Sequence, residues 1–184
     1  MVIRKKAATP KTKKPKVKKR YLDGTLEFKN KPSLDYHLEL KSYKQEGLIQ
    51  SFLVPAIGET ERNKYGAVKV MVNEHVFDSI MESRYYIKLL REKQAGSVKT
   101  FVLQPGYLLQ PSYKKTVNGK VKTIRKIEYF ADFLVTYKDG TEAVIDVKGK
   151  VTDVFAIKKK LFEYVHQDKV LQCVQLKRNQ WIDI

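Results

Sequence analysis

The stretch EYFADFLVTYKDGTEAVIDVKG, residues 128–149, reads as two strands around a tight turn, and each strand carries an acid where an apolar side chain is expected. Alternation puts Phe130, Asp132 and Leu134 on one face of the first strand, and Val144, Asp146 and Lys148 on one face of the second. The turn decides whether the acids meet. A two-residue loop at Asp139-Gly140 would pair Lys138 with Thr141 and point the two acids to opposite faces. A three-residue loop, Lys138-Asp139-Gly140, with Gly140 left-handed in a bulge, pairs Tyr137 with Thr141 and brings Asp132 opposite Asp146. The second register is expected.

Working outward, residues 79–95 form the clearest helix, opening at Asp78 or Ser79 and closing at Gly96. Tyr85, Leu89, Tyr86, Leu90 and Ile87 share one arc of its wheel, and Arg84, Lys88 and Arg91 the opposite one; Glu82 falls within the apolar arc. Ser79 and Glu82 also fit a capping box, which would give Glu82 a purely structural role at the Ser79 amide. A second helix is expected over 33–46, with Ser33 as N-cap, Leu34, Leu38 and Leu40 among its apolar positions, and Gly47 as its stop. Between the helices, Val68, Val70 and Val72 alternate before a turn at Asn73-Glu74 that leads to Val76 and Phe77.

Strands are expected near 98–104, 107–117 and 122–137, the last two joined by an Asn118-Gly119 hairpin, then at 142–148. A helix near 152–165 with Thr152 as N-cap and a strand near 169–176 follow, which together make an α/β arrangement around a mixed sheet. An offset of 49 aligns Phe28 with Phe77, Tyr36 with Tyr85, Leu40 with Leu89, Gly47 with Gly96 and Phe52 with Phe101. It reads either as a decayed duplication, whose first copy has Ser33 in place of Glu82 and is structural, or as chance likeness of two amphipathic helices.

The 184 residues suffice for one sizeable core, and the 42% hydrophobic content argues for a folded chain despite a net charge of +17. Of 37 Lys and Arg, ten fall in residues 1–20, which hold no acid, and the remaining 27 still exceed the 20 Asp and Glu. Positive charge in both tail and body favours a polyanionic partner, nucleic acid first, with binding that weakens steeply in salt. Residues 1–20, with Pro10 and Pro15, read as an extended basic arm; residues 21–61 as an extension packing on the core; residues 62–184 as the main domain. A solvated solubility or localisation arm is the plainer reading of the tail. Lys13, Lys14, Lys18, Lys19 and Arg20 of the arm, with Lys158, Lys159 and Lys160 of the last helix, are the phosphate-contact candidates. The lysines of that helix fit a solvated face equally well. Tyr107, Tyr113 and Tyr129 could stack on bases, but sheet packing is the safer expectation.

One cysteine, Cys173, excludes a disulfide framework and a paired-cysteine metal site, and His37, His75 and His166 have no ligand spacing. With no signal-like or membrane-length apolar run, an intracellular, soluble protein is expected. Two adjacent carboxylates in a half-buried site repel, and a divalent cation relieves the repulsion. Oxygen ligands without clustered His or Cys point to Mg²⁺, with Mn²⁺ as substitute. Such an ion polarises a phosphoryl oxygen and acidifies water, Lys148 can neutralise charge developing on the phosphate, and Glu82 completes the cluster from its helix.

These residues resemble the PD-(D/E)XK nuclease superfamily: Glu82 on a helix, Ala131-Asp132 on a strand, and Asp146-Val147-Lys148 on the next. The pieces NKYG (63–66), FDSIMESRYYIKLL (77–90), FVLQP (101–105), EYFADFLV (128–135), VIDVKG (144–149) and FAIKKKLFEY (155–164) look closest to a family of small phage-borne endodeoxyribonucleases. The likeness covers roughly residues 62 to 176. It implies a restriction-endonuclease-like α-β-β-β-α-β core with a mixed central sheet. It also implies metal-dependent hydrolysis of DNA, with action on branched or recombining phage DNA in the bacterial cytoplasm, and a homodimer is compatible with it. Ala131 replaces the proline of the superfamily pattern and Asp146 the glutamate, changes that leave the ligand chemistry intact. The rival reading is a non-catalytic basic nucleic-acid-binding protein whose acids serve packing and ion pairs; an RNA nuclease could use the same site.

Overall fold

A computed structural model describes residues 20–56 and 67–184. Lys13, Lys14, Lys18 and Lys19, with the NKYG segment at 63–66, lie outside the described residues.

The chain opens with a hairpin, β1 (Tyr21–Asp23) and β2 (Leu26–Phe28), then α1 (Lys31–Gln45) and the short β3 (Phe52–Leu53). The helix begins two residues earlier than expected because Asn30, not Ser33, is its N-cap: Asn30 Oδ1 accepts from the Ser33 amide at 3.0 Å. Leu38 is 46% exposed, and the helix instead buries Tyr36, His37 and Leu40. A second hairpin, β4 (Val70–Val72) and β5 (His75–Phe77), leads to α2 (Ile80–Gln94), whose N-cap Ser79 accepts from the Glu82 amide. Val68 lies outside β4, whose partners are β3 and β5.

The bounds of these elements repeat with one offset of 49, hairpin to hairpin and helix to helix. Gly47 and Gly96 both close their helices with positive φ, 74° and 80°. Phe28 and Phe77, Tyr36 and Tyr85, and Leu40 and Leu89 are all buried in one shared cluster. Two unrelated amphipathic helices have no reason to share hairpin, cap and left-handed stop; a duplicated unit does. Ser33 of the first copy is buried, and its hydroxyl is engaged with Asn30. Residues 21–56 therefore contribute directly to the core around α2.

Next come β6 (Val98–Leu103), β7 (Gly106–Gln110), β8 (Tyr113–Val117), β9 (Lys120–Ile124), β10 (Ile127–Phe130), β11 (Phe133–Tyr137) and β12 (Glu142–Val147). The chain ends with α3 (Asp153–Val165), β13 (Leu171–Lys177) and β14 (Gln180–Asp183). Two long strands of the sequence reading are corrected. The 107–117 run breaks at Pro111, which has no amide to donate to a ladder, and 122–137 becomes β9, β10 and β11. Neither β14 nor its tight turn at Arg178-Asn179, φ 48° and 62°, was anticipated from the sequence.

The five-stranded sheet runs β14-β13-β12-β11-β6, with β12 and β13 parallel and the other pairs antiparallel, so it is mixed. Helix α3 connects the parallel pair. Alternation along β12 sends Ala143, Ile145 and Val147 into the cluster shared with α1 and α2, while Val144 joins Phe155 and Phe162 of α3 on the other side. The sheet is thus covered on both faces, which is why β12 reads as an almost unbroken apolar run. No helix among the described residues is long and apolar enough to cross a membrane.

Candidate active site

The β11–β12 turn takes the three-residue form. The Tyr137 amide donates to Thr141 O at 2.9 Å, Gly140 has φ +87°, and Phe133 lies opposite Ile145. Continued by one residue, this register sets Asp132 opposite Asp146. Just there the first strand is interrupted. Asp132 belongs to neither β10 nor β11: its amide donates to Ile145 O at 3.1 Å, and its carbonyl accepts from the Gln104 amide at 3.0 Å. The interruption also shifts the alternation by one. Tyr129 and Ala131 join Leu134 on the α3 side, and Phe130, expected on the face of Asp132 and Leu134, is 61% exposed. Having left its ladder with β7, the chain re-enters a different one with β6 and β12, and no continuous pleat links them.

Asp146 is 1% exposed. Its Oδ2 accepts the Tyr129 hydroxyl, and its Oδ1 meets Lys148 Nζ in an ion pair whose geometry is not that of a hydrogen bond, so that oxygen has no hydrogen-bond donor. Burial, reinforced by the charge of Asp146, pushes the Tyr129 hydroxyl far above the usual phenol range, so it remains a donor. Lys148 Nζ also stands 4.7 Å over the Phe155 ring, which ties it to the N-terminal turn of α3. The Val147 amide donates to Asp132 Oδ2 at 2.6 Å. Burial, then the negative charges of Asp146 and Glu82, push Asp132 up to about 7 against the opposing pull of that amide and Lys148.

Glu82 comes from α2, on the other side of the sheet from Asp146. Its Oε1 accepts from Ser79 Oγ at 2.8 Å and its Oε2 from the Asp78 amide at 3.2 Å. The expected capping box is therefore realised with a shift of one residue, the side chain returning to Asp78 rather than to the Ser79 amide. Burial raises the Glu82 pKa, and the charge of Lys148 lowers it slightly, so the helix acid senses the strand site. Glu82 and Asp132 share an open depression of about 200 Å³ with His75, Phe77 and Gln104.

All four expected residues thus gather at one end of the β11–β12 pair, electrostatically coupled. They do not form a ready metal cage. Among the described residues no group of three or more His, Cys, Asp or Glu is arranged to hold a metal ion. The reason is visible in the contacts: Glu82 is held by its cap across the sheet, and Lys148 occupies the near oxygen of Asp146. The donor set itself fits a hard divalent cation, since it offers carboxylate oxygens only, one of them buried without a hydrogen-bond donor.

Of the expected phosphate contacts, Lys158 is half-buried and donates to Glu128 O at 3.1 Å, Lys159 is half-buried beside Cys173, and Lys160 is exposed. Arg20 is exposed, 4.0 Å from Glu27. Tyr107 and Tyr129 are buried in packing, whereas Tyr113 is 47% exposed. His37 and His166 are packing residues that bond Asp23 and Leu108 O, and Cys173 is buried. Two site neighbours escaped the sequence reading. Tyr129, expected to pack or stack, also donates its hydroxyl to Asp146. Gln104 carries φ +49° beside the depression, and nothing local predicts a left-handed glutamine before proline. A larger depression of about 530 Å³ beside Tyr43, Arg91 and Trp181 gathers charges that are already paired, Arg84 with Glu39 at 2.8 Å and Lys88 with Glu92 at 2.7 Å, and is not where the acids converge.

A family model described as "Protein of unknown function (DUF1064)" matches residues 62–180. No curated protein and no solved structure matches the chain.

Proposed function

The chain belongs to that family, whose description carries no activity, and from the site alone we propose a metal-dependent endodeoxyribonuclease that hydrolyses DNA phosphodiester bonds. The observation that carries the reading is the uncompensated charge. Glu82, Asp132 and Asp146 share one ammonium, Lys148, and burial, reinforced by the charges of Asp146 and Glu82, raises Asp132 to about 7. A group of acids kept in mutual repulsion at a sheet end is poorly explained by folding, and a divalent cation would cancel it. Element order supports the same reading: α2, β6, β11, β12, α3 and β13 follow the expected α-β-β-β-α-β sequence of a restriction-endonuclease-like core, with β7 to β10 inserted.

Asp132 and Asp146 would hold Mg²⁺ or Mn²⁺ directly, and Glu82 through water from its capped position. The ion would supply Lewis acidity toward phosphoryl oxygens and acidify water. Release of Lys148 from Asp146 on loading would free its ammonium to neutralise the phosphate as charge develops. Water oxygen bonds to phosphorus and gives up a proton to solvent, the opposite phosphorus–oxygen bond breaks, and the departing oxygen takes a proton from solvent. The Tyr129 hydroxyl holds Asp146 in place throughout. Branched or recombining DNA is the proposed substrate class.

The Lys148–Asp146 pair and the absence of a ready three-carboxylate cage among the described residues favour one rival, a basic binding protein without chemistry. Incubating supercoiled plasmid and a four-way junction with Mg²⁺, Mn²⁺ or EDTA separates the two. Wild type is expected to cut only with metal, and Asp146→Ala and Lys148→Ala to lose cutting. Intact DNA under every condition, with tight salt-sensitive binding, overturns the nuclease.

A further inference from the structure

Strands β8 and β9 form a two-stranded ribbon that pairs with no other strand among the described residues, closed by Asn118-Gly119 with φ 49° and 73°. Residues 113–126 contain Lys114, Lys115, Lys120, Lys122, Arg125 and Lys126 and no acid. Every residue of the two strands is exposed apart from Val117 and Ile124. Lys126 is paired with Glu128 at 2.8 Å, but Lys114, Lys115, Lys120 and Lys122 make no ion pair with any described residue.

Register sharpens the point. Lys115 lies directly opposite Lys122, Val117 opposite Lys120, and Tyr113 opposite Ile124, so three ammonium groups and an exposed aromatic ring share one face. Like charges directly opposite on a ribbon destabilise it. A feature that opposes its own folding calls for a polyanion that offsets it.

We propose that this ribbon enters the major groove of duplex DNA, with Lys115, Lys120 and Lys122 on phosphates. The B-form major groove, about 12 Å wide, admits a two-stranded ribbon, whereas the deep, narrow major groove of an RNA duplex does not. Placement suits the task. β9 runs through Arg125-Lys126 into β10, which ends just before Asp132. Asp132 stands eight positions after Ile124, so the ribbon base is no more than roughly 29 Å from Asp132. That is within one turn of the double helix, about 34 Å. This deepens the nuclease reading and rests on it for its purpose; the binding itself requires no cleavage.

The test measures binding of full-length protein to a 20-base-pair DNA duplex and an RNA duplex of equal length, in EDTA, across a salt series. Wild type is compared with a Lys115→Gln, Lys120→Gln, Lys122→Gln variant. Three lost phosphate contacts are expected to lower the slope of log K against log salt by about 2.7, at about 0.9 each, and to weaken DNA binding at least tenfold near 0.1 M salt. RNA-duplex binding is expected to change little. Unchanged DNA affinity and slope in a variant with native circular dichroism overturn the proposal, and so does an equal loss on both duplexes. Aggregation of the variant with full DNA affinity would mean that the lysines only guard the ribbon edges, and likewise overturns it. Metal-dependent nicking is scored separately: loss of binding in the variant beside a wild type that never cuts would sink the nuclease and leave the ribbon standing.

Discussion

Replacing Asp132 by asparagine should stabilise the protein, and increasingly so as pH rises. The side chain keeps an oxygen for the Val147 amide, now 2.6 Å from Asp132 Oδ2, and loses the charge that burial, and then Asp146 and Glu82, oppose. The sign follows from the folded pKa standing near 7 against an ordinary 3.8. Between those values the folded state holds a proton that the unfolded state has released, so stability falls as pH rises. At about 1.36 kcal/mol per unit, the whole displacement amounts to about 4 kcal/mol in alkaline solution. Roughly 1.5 kcal/mol of that is already expressed at pH 5, leaving about 2.5 kcal/mol to develop by pH 8. For a chain of this size, such a difference is roughly 5–10 °C in Tm. Thermal or urea unfolding of both proteins in EDTA at pH 5, 6.5 and 8 reads it directly. A gap between asparagine variant and wild type that stays constant or shrinks with pH would falsify the picture of Asp132 as a buried carboxylate with a raised pKa.

Two other substitutions probe the supports of the site. Tyr129→Phe removes the donor to buried Asp146 Oδ2, and leaving that acceptor unmet should cost about 1–3 kcal/mol by denaturant unfolding; no loss would mean that solvent replaces the hydroxyl. Ser79→Ala removes the cap of α2 and a partner of Glu82, and should cost about 1 kcal/mol while retaining the fold by circular dichroism.

The acids at 132 and 146 are legible because each interrupts an apolar stretch of sequence, although only Asp146 lies within a strand. Their register followed from Gly140, since a left-handed residue at that point selects one loop length. Helix α3 with its Thr152 cap, the stop glycines at 47 and 96, and the 49-residue recurrence were equally readable, each resting on contacts within a few residues or on direct comparison of two segments.

What the tertiary structure alone decided lies where a residue serves two partners. Asp132 leaves its strand because β10 pairs with β7 while β11 pairs with β6 and β12, and no local pattern announces a change of partner. Glu82 stays in its cap on one side of the sheet while Asp146 sits on the other with Tyr129 and Lys148, a separation set by which face each element packs on. Lys158 donates to a backbone carbonyl, whereas Lys115 and Lys122 are opposed and make no ion pair among the described residues; composition counts all three alike. Sequence by itself determined the local conformations and the kinds of groups present, because those depend on neighbours along the chain. Their distances, partners and exposure depend on chain segments far apart in sequence, and only the packed structure assigns them.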